Sequence, residues 1–492
     1  MKRVLPIVII VAACLWGCKP QVKEEPEITI AESKVHISGT IDSVTFRTIS
    51  ITYFDLVRDE ARYSVVVDDK TGEFGFDITI YHPHDILVTY GTKSFQLFVE
   101  PHDSIFIKFS GADFARNADG NLSSLAFTGD NSDVNTSLLE YNRFRSIPSF
   151  SVAPDGLTVK QYLGALVEQM NKELAELDSF AQIHKPSDKF LRWARSSIRY
   201  GNANYLIDYQ MCIKGSYPLK NDSLFTSPFF PVRNNQGFLS SMFLPHVFSY
   251  AGQLYLRSDT SIMGLIGEAK MAQAYERTIQ NILRLEPSGL ERDVMLFHFC
   301  LRLLGQSLEI AEDSWTDVKP TITSPALIDI FERLLLDRKN NSTEGIFYLP
   351  SFSSDMQVFE GDPVDYLIEL SKKQVVLVDI WATWCSPCVG EIPNLLEISN
   401  DLIAKNVMFV GLCSRSDRQT WHQIVRDNQL PGIHFLFNRE QTKALADRLE
   451  FDGYPTYMIF AGGQLAASRA PWPSDSAALL FRITKIKRLY KI

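Results

Sequence analysis

Two cysteines separated by two residues, in Trp384-Cys385-Ser386-Pro387-Cys388, are the part of this chain best suited to covalent chemistry. Where such a segment opens a helix, the two sulfurs come within disulfide reach. The first sulfur then sits at the helix N-terminus, where unpaired amides and the macrodipole favour a thiolate. A thiolate attacks a disulfide; a thiol does not. Cys388 lies one turn further in, is more shielded, and suits the step that resolves a mixed disulfide. Pro387 in the first turn fits helix geometry and stiffens the loop. The pattern points to thiol–disulfide exchange. The same spacing is half of a zinc site, but structural zinc takes four ligands and no second C-x-x-C or H-x₃-H occurs.

Other reactive residues carry weaker signals. His82 and His84 flank Pro83 in a segment that reads as a surface loop, with no third metal ligand nearby in sequence. Cys300, in Phe297-His298-Phe299-Cys300, reads as a packed core thiol. Neighbours in a helix point to different faces, so His298 and Cys300 do not read as a catalytic pair. A Cys212–Cys300 disulfide stays open as an alternative. Cys413 ends a core strand and reads as inert, His422 as a surface residue and His434 as a sheet residue.

The run Val375–Cys388 (VVLVDIWATWCSPC), followed by Val389-Gly390-Glu391-Ile392-Pro393, resembles the thioredoxin superfamily. Within it the segment is most similar to the TlpA-like membrane-anchored thiol-disulfide oxidoreductases. The resemblance implies a helix-kinking role for Pro393 and a buried acid, Asp379, that relays the proton of the resolving cysteine. It implies a glutamate just after the active site, Glu391, and a cis-proline loop, Tyr454-Pro455-Thr456, facing the disulfide. Gly453 before the loop and the apolar strand after it fit that reading. Trp384, Tyr454, Pro455 and Thr456 are then expected to line the substrate side. No cofactor and no metal is expected. The resemblance covers about residues 345–490. The large envelope lipoproteins of this family, with a β-sandwich and a helical insert, are similar to the rest of the chain. One departure falls in that part: Val99-Glu100-Pro101-His102-Asp103 has His102 where the family has Gly.

The elements that must position these residues divide the chain into three. Residues 33–129 read as an all-β sandwich domain, with about seven short strands of period-2 alternation over 33–112. Residues 130–344 read as helical, with apolar residues at helical spacing in 161–180, 190–207, 266–285, 290–308 and 326–336. Residues 345–492 read as β-α-β-α-β-α-β-β-α, a mixed sheet covered by helices in an α/β thioredoxin fold. Its active-site helix spans 385–403 around Pro393, and its last helix, 476–490, has Ser474 as the expected cap.

The other end of the chain reads as an address. Residues 1–18 combine a basic start, a 12-residue apolar run (Val4–Leu15) and Leu15-Trp16-Gly17-Cys18. The run falls short of the roughly 20 residues a membrane span needs and fits a lipoprotein signal, with Cys18 as the lipidated residue. Residues 19–32 follow as a polar tether. This places the protein in the cell envelope, held to a membrane by lipid and facing the periplasm. A plain cleavable signal is the alternative.

Composition excludes other classes. The 492 residues are 45 % hydrophobic and 22 % charged, the balance of a globular protein. A net charge of −9 gives no general attraction to nucleic acid. The expected partners are a protein or small-molecule disulfide, a membrane electron-donor protein and the membrane itself. Two alternatives stay open. One is a tethered binding protein with a secondary C-x-x-C. The other is a disulfide-forming oxidase, since Ser386-Pro387 does not set the direction of electron flow.

Overall fold

The computed structural model describes residues 26–57, 59–116, 122–152, 156–212, 226–268, 270–304, 306–340, 345–348, 357–359 and 362–492. The signal segment, Cys18 and the first part of the tether lie outside the described residues.

The N-terminal strands are β1 (Ser33–Asp42), β2 (Thr48–Asp55), β3 (Asp59–Val66), β4 (Glu73–Ile80), β5 (His84–Tyr90), β6 (Lys93–Val99) and β7 (Ser104–Ser110). A short helix α1 (Gly111–Arg116) precedes β8 (Ala126–Gly129). They form two four-stranded sheets, ordered β4-β1-β7-β8 and β3-β2-β5-β6. Alternation turns Val35, Ile37, Ile51, Val88, Tyr90 and Phe109 into one shared core. Seven strands fall within 33–112 as expected; helix α1 and the strand β8 after it are the additions to the all-β reading of 33–129. His102 has φ +71°, left-handed backbone that suits Gly, and the turn is held by the Asp103 carboxylate accepting the Glu100 N–H at 2.7 Å.

The helical region comprises α2 (Ser132–Phe144), α3 (Val159–His184), α4 (Asp188–Cys212), α5 (Phe243–Ala251), α6 (Thr260–Gly267), α7 (Met271–Leu285), α8 (Leu290–Leu304), α9 (Leu308–Val318) and α10 (Pro325–Asn340). Tyr162, Leu166, Met170, Leu177 and Phe180 make the buried stripe of α3, which a Thr158–Gln161 capping box opens. Two expected helices are each broken. Residues 268–270 separate α6 from α7, and Ser307 ends the run after α8 by capping α9, its Oγ accepting the Ile310 N–H. Cys300 is a free, fully buried thiol pushed well above its ordinary range by burial, so it is not bridged to Cys212.

The helical region packs on the β3-β2-β5-β6 sheet. His82 and His84 lie at this junction and are buried, which corrects their placement on the surface. His82 Nδ1 meets the Phe238 carbonyl at 2.9 Å. Burial lowers the two rings to about 3 and about 4, so both are neutral. Asn135 on α2 fastens the same junction. Its Oδ1 accepts the Phe98 N–H at 2.7 Å and its Nδ2 donates to the Phe98 carbonyl at 3.0 Å. Asn135→Ala leaves both backbone groups buried and unpaired, and we expect a loss of about 2 kcal/mol, read as a lower urea midpoint.

The C-terminal region opens with two short strands the sequence reading lacks, β9 (Gly345–Tyr348) and β10 (Gln357–Phe359). There follow α11 (Pro363–Leu370), β11 (Val375–Trp381), α12 (Ser386–Ala404), β12 (Val407–Ser414), α13 (Arg418–Asp427), β13 (Ile433–Phe437), α14 (Arg439–Leu449), β14 (Thr456–Ala461), β15 (Gln464–Ala467) and α15 (Ser476–Tyr490). The seven strands are ordered β10-β9-β13-β12-β11-β14-β15, with β11, β12 and β13 parallel. Every residue of β11 is buried: Val376, Val378 and Ile380 pack on one face, Val375 and Leu377 on the other. Asp475, not Ser474, caps α15 by accepting the Ala478 N–H. Among the described residues no helix is long and apolar enough to cross a membrane.

Candidate active site

Strand β11 delivers the chain to the N-terminus of α12, and the two cysteines meet there in a disulfide with Cα atoms 5.3 Å apart. Cys385 is the N-cap of α12, and its Sγ accepts the Cys388 N–H at 3.2 Å. A thiolate at that sulfur would face the same donor and the first-turn dipole. Cys385 is 6 % exposed and Cys388 2 %, so the sulfur at the helix end is the more accessible. Pro387 lies in the first turn and Pro393 inside the helix, as expected.

The loop before β14 holds a cis Tyr454–Pro455 peptide bond. Thr456 Oγ1 donates to the Gly453 carbonyl at 2.7 Å and closes this loop. Tyr454 meets Trp384 edge-on, with ring centroids 5.5 Å apart, and both rings pack against the cysteine cluster. Trp384 Nε1 donates to the Arg415 carbonyl at 3.1 Å, which holds the indole across the start of α13. Trp384 and Tyr454 are thus brought together at the cysteine cluster, and Pro455 and Thr456 follow Tyr454 in the same loop.

Beneath it, Asp379 is buried and its Oδ2 accepts the Tyr457 hydroxyl at 3.0 Å. Burial pushes its carboxyl up to about 8; the Tyr457 hydrogen bond opposes this, and Glu391 adds to the rise. Glu391 is also buried, not on an exposed helix face. Its Oε2 accepts the Ser474 N–H at 2.8 Å, tying α12 to the segment that leads into α15.

Sequence reasoning missed a further wall. Val66 at the end of β3 packs on the cysteine cluster, the hydroxyls of Thr48 and Ser386 share a 2.8 Å hydrogen bond, and Arg47 donates to Asn394 Oδ1 at 3.0 Å. The N-terminal sheet therefore closes one side of the disulfide. Two clefts, of about 1210 and 1440 Å³, lie beside the site and share Val57, Leu334, Arg415 and Ser416. Trp384 lines the first and Tyr454 the second. No local motif marks Thr48 or Val66, since their role exists only after folding. Replacing Arg47 by Ala and Thr48 by Val together removes about 1 kcal/mol of docking, and alkylation of reduced Cys385 should speed up about fivefold. An unchanged rate would mean that the wall does not limit access.

Among the described residues no group of three or more His, Cys, Asp or Glu is placed to hold a metal.

Comparisons with known proteins agree with the fold of this region. Residues 373–464 match a family described as Thioredoxin-like. The chain is 31 % identical over 100 residues to chloroplastic thioredoxin Y of Oryza sativa subsp. japonica, a stretch that is 20 % of this chain and 44 % of that protein. The chain thus spans less than half the length of the curated relative it matches. It is also similar to the solved thioredoxin domain of a thiol-disulfide oxidoreductase from Bacteroides vulgatus, at 19 % identity and TM-score 0.23, covering 29 % of this chain and 91 % of that one. A thiol:disulfide interchange protein from Bacteroides sp. compares at 16 % identity and TM-score 0.23, covering 30 % and 87 %.

Proposed function

We propose that the chain, whose C-terminal region is a thioredoxin-like domain with a redox role, is a membrane-anchored thiol-disulfide oxidoreductase of the TlpA-like type that reduces protein disulfides in the cell envelope. The observation that carries this reading is the Cys385–Cys388 bridge at the head of α12, with Asp379 beneath it and the Tyr454–Pro455 loop beside it. In the reduced protein, the Cys385 thiolate attacks one sulfur of a target disulfide and expels the other as a thiolate. Cys388 gives its proton to Asp379 and attacks Cys385 Sγ. The mixed disulfide breaks, the second target thiol leaves, and the intramolecular bridge forms. A membrane electron-donor protein returns two electrons and two protons. Trp384, Tyr454, Pro455 and Thr456 orient the target, and Glu391 stiffens the helix behind the resolving cysteine. The boundaries 33–129, 130–344 and 345–492, with a sandwich as the first domain, and lipidation at Cys18 belong to the same proposal.

The two clefts favour an added binding role for the N-terminal regions, which would hold the target while the sulfurs exchange. The direction of electron flow is tested by equilibrating the full chain with glutathione buffers. A potential at or below about −200 mV fits a reductant, whereas a value near about −120 mV turns the reading to a disulfide-forming oxidase.

A further inference from the structure

A row of four residues crosses the sheet under the active-site helix. The register pairs Tyr457 with Asp379, Asp379 with Gly411, and Gly411 with His434, across β14, β11, β12 and β13. The row carries a tyrosine, an acid, a gap and an imidazole. A Cβ on residue 411 would come within 2.5 Å of His434 Nδ1 and 3.3 Å of Trp381 Nε1, so only glycine leaves this space open. The resulting enclosed cavity is lined by Asp379, Trp381, Cys388, His434 and Tyr457, among others, and has about 10 Å³ open to the centre of a water-sized sphere. That is close to the least room one water needs.

Two buried polar atoms of residues lining this space have no hydrogen-bond partner among the described residues: Asp379 Oδ1 and His434 Nδ1. Unpaired buried atoms are costly, and two around one water-sized cavity call for a shared ligand. The imidazole is set for its part. His434 Nε2 donates to the Pro431 carbonyl at 3.0 Å, which leaves Nδ1 as a bare acceptor. Burial keeps the ring neutral, lowering it to about 4.

We propose that His434 is a positioning residue for the resolving step: with Gly411 as its gap, it holds a water that carries the Cys388 proton to Asp379. This rests on the dithiol reading above and adds a residue to it. The water donates one hydrogen to His434 Nδ1 and the other to ionised Asp379 Oδ1. Its oxygen is then left to accept from the Cys388 thiol. When the S–H bond breaks, its proton goes to the water, and the water's proton goes to Asp379. Cys388 thiol and Asp379 carboxylate become Cys388 thiolate and Asp379 carboxylic acid, the electron pair staying on sulfur for the attack on Cys385. The ionisable groups around Asp379 are Tyr457 on β14, Cys388 and Glu391 on α12, Cys413 on β12 and His434 on β13. Because burial raises the Asp379 carboxyl to about 8, its carboxylate fraction, and with it the resolving rate, falls as pH drops below that value.

The test uses the reduced full chain and 5,5′-dithiobis(2-nitrobenzoate). Cys385 releases one thionitrobenzoate in a first phase, and Cys388 releases the second when it resolves the mixed disulfide. His434→Gln keeps a donor for Pro431 but places no acceptor at Nδ1. It should slow the second phase about tenfold near neutral pH and flatten its pH profile, with the first phase unchanged. His434→Asn returns a polar atom near Nδ1 at the expense of the Pro431 bond and should recover most of the rate. A merely structural histidine reverses that order, Gln outperforming Asn, and this result overturns the proposal. Gly411→Ala, which fills the gap from the neighbouring strand, should reproduce the slow second phase even if a His434 variant does not fold. An unchanged second phase in Gly411→Ala also overturns it. If the wild-type chain releases no second thionitrobenzoate, the dithiol reading itself fails. Two normal wild-type phases with unaffected variants remove only His434.

Discussion

Cys388→Ser should accumulate as mixed disulfides with its targets, Cys385→Ser should accumulate none, and either change should lower disulfide turnover by about 10³-fold or more, a barrier increase of about 4 kcal/mol. The asymmetry comes from position on one helix. Cys385 is the N-cap, its sulfur already accepts the Cys388 amide, and it is the more exposed of the pair. Its thiol should therefore ionise below the free value of about 8.5. Cys388 lies under the first turn, 2 % exposed, bonded to Cys385 and facing the interior and not a target. Without Cys388 the first covalent step still occurs and the product cannot be released. Without Cys385 the remaining sulfur is too buried to meet a target. Non-reducing gels of cell extracts, with alkylation mapping of the reduced chain, check both halves. Trapping by Cys385→Ser, or equal alkylation of the two sulfurs at neutral pH, contradicts the assignment.

The site residues that the sequence made legible lie within a few residues of the chemistry or at one marked turn. Cys385, Pro387 and Cys388 suggest a helix start by type and spacing, Pro393 is singled out by the family resemblance, and Gly453 with Pro455 marks a loop before an apolar strand. Asp379 is singled out by the family resemblance and not by its spacing, which fits an ordinary buried acid equally well. Residues whose part depends on distant partners were not legible. Thr48 and Val66 precede the cysteines by more than 300 positions, and nothing in their strands sets them apart from other inward or edge residues. Glu391 carries no sign that Ser474 is its partner. His82 and His84 read as loop residues, which usually face water; the structure puts His84 at the start of β5 and buries both rings under the helical region. Strands β9 and β10, of four and three residues, are too short for periodicity to register; β9 pairs on the edge that β13 offers, and β10 pairs on β9.

Asp379→Asn should make the thioredoxin-like region more stable at alkaline pH while slowing its chemistry. The carboxyl rises from its ordinary 3.8 to about 8 because burial disfavours the charged form. Between those values the folded chain binds a proton that the unfolded chain has lost. Stability is therefore whole below about pH 4, falls as pH rises toward 8, and is lowest above it. At about 1.36 kcal/mol per tenfold in proton affinity, the penalty above pH 8 has an upper bound of about 6 kcal/mol, and relaxation around the charge will reduce it. Asparagine cannot ionise, is nearly the same shape, and offers its amide oxygen to the Tyr457 hydroxyl. Urea unfolding, followed by the tryptophans near the disulfide, should give similar midpoints for the two proteins at pH 4. At pH 8.5 the midpoint of the variant should be higher, with a gain of several kcal/mol. A variant that is less stable at every pH would mean that Asp379 is held by interactions that favour its charge. The predicted pattern instead assigns the acid a cost to the fold and a use in the reaction, because only an ionisable group at this place can take the Cys388 proton.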